Sequence, residues 1–145
     1  MRTSPLRSLL ILATSAGLIQ VAAGILMYVA GVYFAPWSMG VSIAVLLACI
    51  LVGVARHRAA ALGGTMTFGQ AAGAGAAVAF GTGLLYAVYN VISIRFVYPD
   101  FLGQVAAVTG RTPTLAAIAI GNLIRLTVGG TVLALVTAPF QRRAA

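Results

Sequence analysis

The chain has 145 residues, 61% of them apolar, a mean hydropathy of +1.07, nine arginines, no lysine and a single carboxylate, Asp100. A soluble domain carries about 25% charged residues; here the share is 7%, which excludes an ordinary soluble enzyme and places the chain in a lipid bilayer. The net charge of +8 does not point to nucleic acid, because the arginines punctuate apolar runs as topology signals do, rather than forming a stripe on a soluble face.

The length suits one domain over residues 1–145. The first apolar run, residues 9–34, follows Arg2 and Arg7 and imitates a signal peptide, with small residues at Val21-Ala22-Ala23. It is longer than an h-region of about 7–15 residues, so an uncleaved first span is expected. Ser4-Pro5 before it sets a capping side chain ahead of a proline whose missing N–H does no harm at a helix start. Gly17, Gly24 and Gly31 form a small-residue stripe along this span. Only Ala35, Pro36 and Trp37 separate it from the second run, residues 38–55, which predicts a tight antiparallel hairpin. Cys49, the one cysteine, lies within the second run, so no internal disulfide can form. Residues 56–66 then read as a connector in which His57, between Arg56 and Arg58, is a solvated part of a topology signal.

Thr67-Phe68-Gly69-Gln70 fits a capping box and starts the third span, residues 68–92. Its small residues recur every four positions: Gly69, Gly73, Ala77 and Gly81 on one face, and Ala71, Gly75, Ala79 and Gly83 nearly opposite. Helices in lipid associate by close backbone approach across such rows. One row is therefore expected to pack within the chain, and the other is available either to the same bundle or to a second subunit. The helical pattern outruns the membrane and can reach Tyr98, placing Arg95 outside or at the interface. Asp100 to Val108 then form a short interfacial helix with Phe101, Leu102, Val105 and Val108 on one side, closed by Gly110. Asp100 is expected to cap it, with Arg95 and Arg111 as neighbours. Thr112-Pro113 predicts the start of the fourth span, residues 115–138. The fold expected is an all-α bundle of four transmembrane helices with a short outer helix.

Arg2, Arg7, Arg56, Arg58, Arg142 and Arg143 fall on one side of these spans, and only Arg95 and Arg111 on the other. The positive-inside rule makes both termini cytoplasmic. Tyr28, Tyr33, Trp37, Tyr86 and Tyr89 then gather at the opposite interface. A composition rich in Ala, Gly and Arg without Lys suggests a bacterial cytoplasmic membrane.

Two stretches carry a family resemblance: Thr67-Phe68-Gly69-Gln70 opening the third span and Tyr98-Pro99-Asp100-Phe101 leaving it. The region from Leu51 to Leu102 resembles the bacterial membrane family called domain of unknown function 4199. The resemblance implies a four-helix integral membrane protein and implies no activity.

Arg125 lies inside the fourth span, and counting inward from Ala138 puts it near the midplane. A charge there costs about 2.5–3.5 kcal/mol on insertion scales, so it must face protein or water. Asn122 shares its helical face. Gln20 lies at a similar depth, as do Ser42 and Thr82. Gln20, Asn122 and Arg125 thus form a candidate polar cluster. It either binds an anionic group or satisfies itself on amides and carbonyls and so fixes the packing of the first and last spans; the structural reading is preferred.

No spacing suits a metal site, a nucleophile with its base or a pair of catalytic acids, so neither a cofactor nor an enzymatic activity is expected. Two functional classes remain. The first is a non-enzymatic packing or accessory subunit that forms an oligomer or joins a larger membrane complex. The second is a small homo-oligomeric transporter or anion-conducting element with Arg125 lining the path. The second requires polar residues along a continuous water-accessible pore; the first requires a dry core and an uncovered small-residue face.

Overall fold

The computed structural model describes residues 4–141; Arg2, Arg142 and Arg143, used above for orientation, lie outside them. Five helices follow one another: α1 (Pro5–Val29), α2 (Ser38–Ala61), α3 (Phe68–Phe96), α4 (Phe101–Thr109) and α5 (Leu115–Gln141). Four of them, α1, α2, α3 and α5, are long and apolar enough to cross a membrane. The molecule is an all-helical, multi-pass membrane bundle.

Local chemistry explains most helix ends. Ser4 Oγ accepts from the Arg7 N–H at 3.3 Å, with Pro5 just inside the start of α1. At the start of α3 both halves of the expected capping box form: the Gln70 N–H donates to Thr67 Oγ1 at 3.2 Å, and the Thr67 N–H to Gln70 Oε1 at 2.9 Å. Gly110, at φ +69°, closes α4.

Four boundary expectations are corrected. The first helix stops at Val29, not Phe34. Gly31 adopts φ +71°, and the Gly31 and Val32 N–H groups turn back to the Tyr28 and Met27 carbonyls. This Schellman closure ends the helix although the apolar run continues. The hairpin connector is therefore residues 30–37, and Gly31 belongs to a turn rather than to the small-residue stripe. The second helix runs past the arginines to Ala61, carried by Ala59, Ala60 and Ala61, strong helix formers. It ends where Gly63 and Gly64 take positive φ. His57 is accordingly a helical residue, 5% exposed, with Nδ1 3.1 Å from Ser8 Oγ on α1, not a solvated loop residue. The last helix is capped by Thr114, whose Oγ1 accepts from the Ala117 N–H at 3.1 Å; Thr112 and Pro113 precede the cap. It continues to Gln141, through Pro139 in its final turn.

The third helix is the centre of the bundle. Half of its most apolar stretch is buried, against 22% to 28% in the other three spans. It packs most extensively on α5, then on α1, and also on α2, which in turn touches α1 and α5. Close approach comes from glycines facing alanines. A Cβ added to Gly75 would fall 2.5 Å from Ala134 Cβ, one on Gly83 would fall 3.1 Å from the Leu123 carbonyl, and one on Gly130 would collide with Ala79. On the other side, a Cβ added to Gly81 would fall 2.5 Å from Ala13 Cβ, and Gly17 and Gly24 of α1 lie under Leu85 and Tyr86 of α3. Leu46, Ile50, Val54 and Val78 complete the core, none more than 2% exposed.

Candidate functional site

The contacts of α5 with α2 fix their stagger. Leu46 lies against Gly130 and Ile50 beside the Gly75–Ala134 contact, while at the far end Arg58 donates to the Gln141 carbonyl at 2.6 Å. Following this register toward the hairpin end brings Arg125 level with the first turn of α2, since each residue rises about 1.5 Å on both helices. α2 begins at Ser38, so Arg125, well inside α5, stands level with that beginning.

There Arg125, which is exposed, and the half-buried Asn122 face the same cavity as Ser38, Met39 and Ser42 of α2 and Tyr86 of α3. With Met27 and Tyr33 they line a cavity of about 130 Å³. Ser42 and Tyr86 are 7% and 3% exposed. The Tyr86 hydroxyl is 3.3 Å from that of Tyr33, which ties the connector to the central helix. Gln20 is almost completely buried and donates through Nε2 to Ser42 Oγ at 2.6 Å. It thus touches the cavity wall through Ser42. Its Oε1 has no partner among the described residues.

Of the residues expected to cluster, Asn122, Arg125 and Ser42 share the cavity, and Gln20 is joined to it at second hand. Thr82 stands apart, because its hydroxyl donates to the Val78 carbonyl of its own helix at 2.8 Å. Arg125 makes no ion pair or hydrogen bond among the described residues, so its guanidinium does not bridge α1 and α5. Tyr33, Tyr86 and Ser38 were not foreseen as neighbours. The two tyrosines had been assigned to an interfacial belt, and a buried core position for Tyr86 has no local signature in a helix that is apolar on nearly every face.

Asp100 stands at the N-cap of α4 but with helical φ −81° and ψ −4°, and its side chain makes no capping bond. This corrects the expected cap. Capping requires an extended backbone that swings the side chain over the following N–H groups, and Asp100 instead contributes its carbonyl, to Gln104. Nor does it pair with Arg95 or Arg111 among the described residues. What anchors α4 is Phe101, buried with its ring centroid 5.5 Å from Tyr33, 5.6 Å from Phe34 and 6.0 Å from Tyr28.

The two rows on α3 have different fates. Ala71, Gly75, Ala79 and Gly83 are all buried inside the bundle. In the other row Gly81 meets Ala13, whereas Gly69 and Gly73 are exposed, with nothing near a position where a Cβ would stand. A second cavity, of about 310 Å³ between α1 and α2, is walled by apolar side chains such as Leu12, Ile19, Val45 and Val52, with Arg56 at one end.

Among curated proteins and among solved structures nothing matches this chain. A family model described as "Protein of unknown function (DUF4199)" matches residues 12–143, a span that includes every residue of the Arg125 cavity and both small-residue rows. The chain therefore belongs to the DUF4199 family, as its opening and closing motifs around α3 suggested.

Proposed function

We propose that this protein is a non-enzymatic packing or accessory subunit, crossing a bacterial cytoplasmic membrane with both termini in the cytoplasm. It acts by associating with copies of itself or with a larger membrane complex. The observation that carries this reading is the division of one small-residue row on the central helix. Gly81 is used within the chain, against Ala13, while Gly69 and Gly73 lie bare on the surface. A glycine inside a helix costs about 1 kcal/mol relative to alanine, and at Gly73 no contact among the described residues offsets it. A partner helix laid on this stretch would gain close backbone approach.

A small homo-oligomeric conducting element with Arg125 lining the path is the alternative; the packing beneath the Arg125 cavity closes the interior of each chain, so such a path would have to run between chains. Leu46, Ile50, Val78 and Ala79 fill the bundle there and are at most 2% exposed. The decisive experiment is the mass of the protein purified in mild detergent, with any co-purifying chains determined. Association is expected, and Gly73→Leu is expected to abolish it while helicity is retained. A wild-type monomer without partners would overturn the reading.

A further inference from the structure

We infer that the cavity between the start of α2 and Arg125 is a binding site for a phosphate-type oxyanion, independently of any association through α3. Four observations converge on it.

The first is charge. Arg125 supplies a fixed positive charge, and no carboxylate is available to it: Asp100 is the chain's only one and sits at the start of α4. The second is the end of α2. Trp37 gives no side-chain cap, and of the first N–H groups those of Ser38 and Val41 are taken by the Ala35 and Trp37 carbonyls, leaving Met39 and Gly40 free. An open helix start is positive and presents its donors outward. Ser38 and Met39 of that first turn line the same cavity as Arg125, and two positive groups on one cavity favour an anion between them.

The third is the hydroxyls. Ser42 Oγ accepts from Gln20, so its own proton is left to donate, and it donates to nothing among the described residues although the side chain is 7% exposed. In the Tyr33–Tyr86 pair one hydroxyl accepts from the other, and the accepting one keeps a free proton. The fourth is size. A volume of about 130 Å³ corresponds to roughly four waters at ~30 Å³ each, room for one tetrahedral oxyanion. A guanidinium matches phosphate oxygens in bidentate fashion.

Phosphate can reach this site free in solution or as the headgroup of an anionic lipid, since Arg125 and Met39 on the cavity wall are exposed. The test uses the full chain in nanodiscs of phosphatidylcholine and follows thermal unfolding. One arm adds inorganic phosphate against chloride at equal ionic strength; the other replaces part of the lipid with phosphatidylglycerol. Stabilisation in the first arm identifies a free oxyanion, and stabilisation in the second alone identifies a headgroup. Arg125→Gln is expected to weaken the response about 10- to 100-fold in affinity, as loss of a charged hydrogen-bonding group does, and Ser42→Ala and Asn122→Ala more mildly. Arg111→Gln, an equal change in net charge away from the cavity, should leave it intact. If Arg125→Gln does not fold, Ser42→Ala and Asn122→Ala are read instead. The inference is overturned if neither arm stabilises the wild type, if the cavity variants that fold respond as the wild type does, or if Arg111→Gln is as damaging as they are.

Discussion

Gln20 Nε2 donates to Ser42 Oγ across 2.6 Å, joining α1 to α2 inside the bundle. The pair is unequal: Gln20 keeps a buried Oε1 without a partner among the described residues, while Ser42 forms part of the Arg125 cavity. This asymmetry leads to a test of what the bond contributes. Ser42→Ala leaves the Gln20 amide wholly unpaired and is expected to destabilise by about 1–3 kcal/mol. Gln20→Leu removes donor and orphan acceptor together and should cost under ~1 kcal/mol, in line with the modest worth of interhelical hydrogen bonds in membranes. The double variant should then be more stable than Ser42→Ala alone. Reversible unfolding in mixed micelles gives all three values, and strict additivity would contradict the coupling.

The α3–α5 interface makes a sharper prediction. Gly75→Ala places a Cβ 2.5 Å from that of Ala134, so the two backbones must separate at the centre of the bundle. Overpacking of this kind costs about 1–3 kcal/mol. Gly73→Ala, two residues earlier on the open face, meets nothing and should be neutral or stabilising by up to ~1 kcal/mol through helix propensity. Thermal unfolding of the two variants as dissociated chains should show a lowered midpoint for Gly75→Ala and an unchanged or raised one for Gly73→Ala.

Asp100, the only carboxylate in the chain, is expected to matter little for stability. Its side chain neither caps α4 nor pairs with an arginine among the described residues, so Asp100→Asn should stay within about 0.5 kcal/mol of wild type. Phe101→Ala, by contrast, removes the ring that packs on Tyr33 and Phe34 and should release α4, read as increased protease sensitivity between Pro99 and Arg111.

The proposed orientation is tested by thiol labelling in a Cys49→Ala background. Thr109→Cys, at the end of α4, should react with a membrane-impermeant reagent from outside intact cells. Gly64→Cys, between α2 and α3, should react only after the membrane is opened. The reverse pattern would invert the topology that the arginines suggest.

Much of this architecture could be read directly from the order of residues. Four long apolar runs give four spans because backbone polar groups in lipid must be satisfied within each helix. The Thr67–Gln70 box, the overrun of α3 past Arg95 and the Gly110 stop were legible because each depends on neighbours a few residues apart. The Gly31 turn and the Thr114 cap are equally local, yet they were hidden: apolar residues continue past the first, and Thr112-Pro113 offers a competing start beside the second. Other features had no local trace. Which small-residue row would be buried, that His57 would meet Ser8, and that Arg125 would stand beside the first turn of α2 all depend on how each helix is rotated and staggered against the others. Helices that are apolar on nearly every face do not encode that rotation in their hydrophobic pattern. It is set by the interlocking of Gly75 with Ala134, Gly130 with Ala79 and Gly81 with Ala13, contacts that come into being only when the packed helices lie side by side.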